Sequence, residues 1–93
     1  MKPKVLIKTH EFNEALARVN LKKEDASRIL GISQQYLSDL ISQKYSPGPE
    51  LRQKMLIMFS NLGLALTFDD IFFILNSRLN ENNADKTRTV DNS

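Results

Sequence analysis

Two adjacent glutamines, Gln34 and Gln35, have the clearest chemistry in this sequence. A glutamine amide donates and accepts hydrogen bonds at once, and this pattern matches the N6 and N7 atoms of adenine in the major groove of DNA. The pair follows a Gly-Ile-Ser turn and opens a short segment with periodic apolar residues. A short helix, a tight turn and a second helix would place both amides where base edges can be read.

The segment after the turn, residues 34–42, predicts a helix with one apolar and one polar face. At 100° per residue, Leu37, Leu40 and Ile41 fall on one side. The other face carries neither lysine nor arginine and consists of Gln34, Gln35, Ser38, Asp39 and Ser42. This composition favours a helix that contacts base edges over one that binds the phosphate backbone of DNA.

The helix before the turn should begin at Lys22 or Lys23, with acidic residues in its first turn, where the helix dipole favours anions. Its predicted buried face is Ala26, Ile29 and Leu30. Gly31 ends it, because the turn needs a residue that adopts a positive φ without cost. Ser33 is the predicted N-cap of the helix that follows.

Three more helices are expected around this pair, which makes the chain an all-α, five-helix protein. The first covers residues 10–19 with Thr9 as its N-cap. The fourth begins at Pro49 and is ended by Gly63. The fifth covers residues 68–79 and opens with a capping box of Thr67 and Asp70. The surrounding helices would supply the core that holds the second and third at a fixed angle.

The two ends of the chain differ from this helical region. Residues 1–9 form a basic arm that either approaches phosphate through its lysines or folds back to bury residues 5–7, and the second arrangement is favoured. Residues 10–79 form the helical domain. Residues 80–93 are polar, nearly free of apolar side chains and expected to be disordered.

Composition narrows the class of protein. The 93 residues suit one small domain. The absence of Cys and the single His argue against disulfides and against thiolate or His-rich metal sites. Residues 1–54 hold ten Lys and Arg against six Asp and Glu, whereas residues 55–93 hold three against five. The first half should therefore face nucleic acid.

No catalytic residues and no cofactor site are identified. The hydroxyls of Ser33 and Ser38 have no His nearby to act as a base, and neither a Gly-rich phosphate loop nor a metal-ligand spacing is present. The chain shows neither a signal peptide nor a membrane span, so a cytoplasmic protein is expected. Because no catalytic residues are identified, enzymatic activity is not expected.

The motif resembles the phage repressor and Cro family, also called lambda-repressor-like, over about residues 10–76. Counted from Lys23, the family's buried positions are Ala26, Leu30, Ile32, Leu37 and Leu40, with Gly31 at the turn. Ser27 stands where the family usually has Ala, at the closest contact of the two helices. Its hydroxyl can bond back to a carbonyl one turn earlier.

The resemblance assigns roles to individual residues. The base-reading positions it implies are Gln34, Gln35, Ser38 and Asp39. The phosphate-contacting positions it implies are Lys23, Ser33, Tyr36, Ser42 and Lys44. Two of these nine residues, one from each group, have further interpretations. Asp39 can accept from cytosine N4 and exclude wrong sequences. Tyr36 either bonds a phosphate, touches a thymine methyl or packs beside the second helix.

The resemblance implies a sequence-specific regulator of transcription, of the repressor type found in phages and mobile elements. It would bind double-stranded DNA as a homodimer on a near-palindromic site. Phe73 and Ile74 are surplus apolar residues on the fifth helix. They either form the dimer contact or are covered by residues 5–7. The alternative function is an antitoxin or inhibitor that binds a protein partner through this helix.

Overall fold

The computed structural model describes residues 4–75 as a mostly helical domain with one small sheet. The elements, in chain order, are β1 (Lys4–Ile7), α1 (Thr9–Arg18), α2 (Lys23–Leu30), α3 (Gln34–Ile41), α4 (Pro49–Asn61), α5 (Phe68–Ile71) and β2 (Phe72–Leu75). All five predicted helices are therefore present, but the all-α description omits a two-stranded sheet.

The predicted fifth helix is wrong beyond Ile71. After a single turn, Phe72 adopts extended backbone angles and the chain continues as β2, antiparallel to β1. The sequence of β2, Phe-Phe-Ile-Leu, is aromatic and β-branched, and such residues suit a pleated, half-buried surface. The backbone of β1 supplies the hydrogen-bonding partner that makes a strand preferable to a continued helix. The remainder of the predicted helix and the predicted disordered tail lie outside the described residues.

Of the two arrangements expected for the N-terminal arm, folding back is confirmed. The register pairs Ile7 with Phe72, Leu6 with Phe73 and Val5 with Ile74. Leu6 and Ile7 are buried, and Ile7 belongs to the main core. Residues 4–7 of the arm are therefore a strand of the domain.

The core is one cluster of buried side chains to which all five helices and both strands contribute. Phe12 and Phe59 are fully buried and pack edge to face, with ring centroids 5.4 Å apart. The prediction that Ile29 is buried is wrong, because 57% of its surface is exposed. Ser27 takes its place, since the buried stripe of α2 is Ala26, Ser27 and Leu30 and Ile29 lies about 100° from its centre.

The starts of α4 and α5 follow the predicted signals, but the start of α1 does not. Pro49 occupies the first turn of α4, and the backbone N–H of Thr67 donates to Asp70 Oδ2 at 2.7 Å. Thr9, however, is the first residue of α1 rather than its N-cap. Its hydroxyl donates to the carbonyl of Ile41 at 2.6 Å, which joins the start of α1 to the end of α3.

The capping box of α5 predicts a pH dependence of stability. The bonds from the Thr67 backbone N–H and hydroxyl, together with the charge of Lys8, hold the pKa of the Asp70 carboxyl below its ordinary value. A lowered native pKa stabilises the fold above the unfolded-state pKa, and this contribution is lost as the pH falls through the native value. We therefore expect the thermal unfolding midpoint to fall as the pH is lowered below about 5.

Circular dichroism of Asp70→Asn across this pH range would test the assignment. The substitution should flatten the acid limb of the profile, because the titrating group is gone. Asp69→Asn is the matched control, since it removes a neighbouring exposed carboxylate and leaves the bonds to Thr67 in place. An equal flattening in both variants would contradict the role of Asp70.

Candidate nucleic-acid interface

The turn between α2 and α3 is built as the sequence predicted. Gly31 has φ 75° and ψ 28°, the left-handed conformation that costs glycine least. The N–H of Ile32 then donates to the carbonyl of Ser27 at 3.0 Å and closes the end of α2. Ser27 is 5% exposed, and its hydroxyl donates to the carbonyl of Glu24 at 2.8 Å, which satisfies this buried polar group.

Ser33 is the N-cap of α3, as predicted. Its Oγ accepts the backbone N–H of Tyr36 at 3.0 Å. Because the hydroxyl accepts in this bond, its own proton remains available to an incoming phosphate oxygen. Ser33 is exposed, so the capping role and the predicted phosphate contact are compatible.

The apolar face of α3 is buried, and its polar face is open to solvent. Leu37, Leu40 and Ile41 are buried. On the other face, Gln34 and Gln35 are exposed, whereas Ser38 and Asp39 are half-buried. The four predicted base-reading residues therefore lie on one helix, with the two glutamines at its open N-terminal end.

A hydrogen bond joins the side chains of Gln35 and Asp39. The Nε2 of Gln35 donates to Asp39 Oδ1 at 3.1 Å, one helical turn away. This bond uses one of the two amide protons of Gln35. The other proton and Oε1 remain free, and they are the two groups that a bidentate contact with adenine requires.

The predicted phosphate contacts lie at both ends of the motif. Lys23 is the exposed first residue of α2, beside the free amides of the helix N-terminus. Ser42 and Lys44 follow α3 and are also exposed. Ser42 Oγ donates to the carbonyl of Asp39 at 3.1 Å, so it must give up this bond to donate to a phosphate.

Arg28 is a cation of the motif that is already neutralised. Its guanidinium lies 3.1 Å from Asp25 Oδ1 and 3.5 Å from Glu24 Oε2. The spacing of three and four residues along α2 is the signal for these pairs. A phosphate would have to compete with two carboxylates, so Lys23 is the better placed cation of α2.

Tyr36 packs beside Tyr45, a residue that the helix-turn-helix pattern does not include. Its ring lies 5.9 Å from the ring of Tyr45, in the loop after α3, and both side chains are exposed. The Nζ of Lys44 lies 5.7 Å from the centroid of the Tyr45 ring. The two tyrosines and the lysine form one cluster at the edge of the polar face of α3.

The two residues predicted as a dimer contact lie away from this surface. Phe73 and Ile74 are on β2, where they pair with Leu6 and Val5 of β1. Phe73 is half-buried, but Ile74 remains 59% exposed. Pairing with β1 therefore leaves an apolar side chain in solvent at the edge of the sheet.

Within residues 4–75, no His, Asp and Glu side chains come together in a way that could hold a metal ion. None of the helices described there is long and apolar enough to cross a membrane. A cleft of about 350 Å³ lies between α1 and residues 64–66, and its charged rim contains Glu11, Glu14, Arg18 and Asp70.

A protein-family model described as helix-turn-helix matches residues 13–58. The match begins within α1 and ends within α4, so it contains the whole of α2, the turn and α3 and leaves out both strands. No curated protein and no solved structure matches the chain.

Proposed function

Because this chain belongs, through residues 13–58, to the Cro/C1-type, lambda-repressor-like helix-turn-helix family, we propose that it is a sequence-specific repressor acting as a dimer on a near-palindromic operator. The family match by itself supports a DNA-binding regulator of this type. The dimer, the operator symmetry and the roles of individual residues are the added content of the proposal.

The exposed polar face of α3 is the observation that carries this proposal. Gln34 and Gln35 stand in solvent at its N-terminal end, and Asp39 fixes the amide of Gln35. Base edges in the major groove are read by such side chains, whereas phosphate contacts set only position and affinity. Lys23 and Lys44, near the two ends of the α2–α3 unit, are the proposed cations for those phosphate contacts.

A second copy is proposed because one domain of this size buries limited protein surface on DNA. Useful specificity in this family arises when two recognition helices read half-sites about 34 Å apart. Phe73 and Ile74 on β2 are the proposed contact between copies. β2 is an edge strand of the sheet formed by the described residues, and an edge strand can pair with a copy of itself across a two-fold axis.

Selection of bound sequences from a random double-stranded DNA pool tests the proposal most directly. We expect enrichment of a near-palindrome with half-site centres about ten base pairs apart. Adenine should occupy at least one position in each half-site that depends on Gln35. Recovery of unrelated sequences with no common motif would contradict sequence-specific binding.

Exposed Ile74 also fits a second candidate function, an antitoxin or inhibitor that binds a different protein at β2. Light scattering of the purified chain separates the two. A stable homodimer favours the regulator, whereas a monomer that captures one partner protein, and loses it on Ile74→Lys, favours the second candidate.

A further inference from the structure

The loop between α3 and α4 is attached to β1 by two side chains. Gln43 Nε2 donates to the carbonyl of Ile7 at 2.9 Å, and Ser46 Oγ donates to the carbonyl of Val5 at 2.6 Å. The two acceptors alternate along one strand, and the two donors are three residues apart in one loop. The loop therefore runs along the outer edge of β1.

The hydrogen-bond pattern of the sheet explains why these two carbonyls are available. The N–H of Lys8 donates to the carbonyl of Ile71 at 2.8 Å, so positions 4, 6 and 8 of β1 face β2. In an antiparallel pair the intervening residues face the opposite way. The carbonyls of Val5 and Ile7 thus lie on the outer edge, where Ser46 and Gln43 satisfy them.

The backbone of Gln43 gives independent support for this attachment. Its φ is 71°, in the left-handed region where glycine is the usual residue after a helix. The N–H of Lys44 donates to the carbonyl of Asp39 at 2.8 Å, which closes the end of α3 in the manner typical of such a turn. Glycine would suit this backbone better, but only a side chain can reach Ile7.

Gln43 and Ser46 are the two anchors of the loop on β1. Lys44 and Tyr45 lie between these anchors, and both are exposed. Pro47, directly after the second anchor, is buried. The ring of Tyr45 packs beside Tyr36, next to the base-reading glutamines, and the Lys44 ammonium lies close to the same ring. A lysine ammonium close to the ring of an exposed tyrosine, which packs beside a second exposed tyrosine, is a set of groups that can bind the phosphodiester backbone.

We infer that β1 positions this loop for DNA, with Tyr45 as a phosphate contact beside Lys44 and Tyr36. Gln43 and Ser46 are positioning residues in this arrangement, because they act through the loop and do not touch DNA. The inference rests on the proposed function and assigns a DNA-binding role to a strand that lies outside the matched family region.

The test uses the full chain with Gln43→Asn and Ser46→Ala combined. Asn adopts the left-handed region more readily than Gln, so the turn is kept, but its amide is one methylene shorter and cannot reach Ile7. The matched control combines Gln53→Asn with Ser60→Ala, both at exposed positions of α4. Unfolding midpoints establish that every variant is folded at the temperature of the binding measurement.

Affinity for the selected operator is measured against salt concentration. We expect the double variant to bind severalfold more weakly, with a slope of log K against log salt that is shallower by up to about one unit, because one phosphate contact is loosened. Its base preference should stay unchanged. The control should match the wild type in affinity and slope, and a purely structural role for Gln43 and Ser46 would lower the midpoint without changing the slope.

Lys44→Ala, made both in the wild type and in the double variant, gives a double-mutant cycle. Its effect should be smaller in the double-variant background than in the wild type, because the loop no longer holds the lysine in place. Tyr45→Phe should weaken binding without changing the slope, since it removes a neutral donor. Equal Lys44→Ala effects in the two backgrounds, or a Tyr45→Phe variant that binds like the wild type, would overturn the inference. Failure of the proposed function itself would appear separately, as a wild type that selects no sequence.

Discussion

Replacing both Gln34 and Gln35 with Ala is expected to lower affinity for the operator by about 30-fold or more, while affinity for unrelated DNA stays nearly constant. Each bidentate amide contact with a base discriminates by about 1–3 kcal/mol, and about 1.4 kcal/mol corresponds to tenfold. The dependence on salt should not change, because neither residue neutralises a phosphate. Fluorescence anisotropy with operator and scrambled duplexes over a range of salt concentrations measures both quantities.

The hydrogen bond between Gln35 and Asp39 sharpens this expectation. Asp39 accepts one amide proton of Gln35 and thereby orients the groups that we propose face adenine. Asp39→Ala should therefore weaken the preference at the same base pair as Gln35→Ala does. The double substitution should cost less than the sum of the two single ones, because the two side chains act as one unit.

Two controls separate base reading from general weakening. Lys23→Ala should weaken binding on all sequences and make the salt slope shallower by about one unit, with the base preference kept. Gln53→Ala changes an exposed glutamine of α4 and should leave binding intact. If the double glutamine variant kept the wild-type sequence preference, α3 would not be the recognition helix.

The helix-turn-helix could be predicted from sequence because its signals are local. Gly31 supplies the left-handed turn, Ser33 caps the next helix, and the apolar positions of α3 repeat with the helical period. Each of these features depends on residues within one or two turns of the chain. Their agreement determines the local geometry before any tertiary contact is known.

The sheet could not be predicted in the same way. A four-residue apolar run such as β2 fits a helix or a strand equally well by periodicity. Its partner, β1, is more than sixty residues away in sequence, and no local signal connects the two. The capping box at Thr67 correctly predicted the start of α5, but it carries no information about where the helix ends.

The candidate site likewise has one part that local sequence predicts and another that depends on long-range contacts. The polar face of α3 follows from helical spacing, and the Gln35–Asp39 bond has the four-residue separation of neighbours on a helix. Tyr45 and the anchors of its loop were missed, because the bonds from Gln43 and Ser46 span 36 and 41 residues. Only the folded chain brings that loop to β1.

Ile74→Lys is expected to convert a dimer into a monomer and to lower affinity for the full operator by about 100-fold or more. When two DNA-binding domains are joined in a dimer, the second domain binds its half-site in an intramolecular step. This raises overall affinity by about 10² to 10⁴ without any new contact. Ile74 is 59% exposed on an edge strand, where a lysine is tolerated by the strand but prevents pairing with another copy. Light scattering and anisotropy on the full operator measure the two effects.

The ratio of full-site to half-site binding identifies the cause of the loss. A half-site duplex engages one copy only, so Ile74→Lys should bind it as the wild type does. Ile57→Lys is the matched control, because Ile57 is 51% exposed on α4 and carries the same change of charge away from the sheet. It should remain a dimer with full-site affinity, since charge alone is not the cause.

These measurements also decide whether β2 is the surface that joins two copies of the protein. If Ile74→Lys lost half-site and full-site binding equally, the substitution would have damaged the domain, and its unfolding midpoint would fall as well. If it kept the dimer and the full-site affinity, β2 would not join the copies, and exposed Ile74 would favour a different protein partner. Only loss of the dimer with half-site affinity retained places the two-fold axis at β2. In that case β2, which occupies residues 72–75 of the predicted fifth helix, holds two recognition helices on one operator.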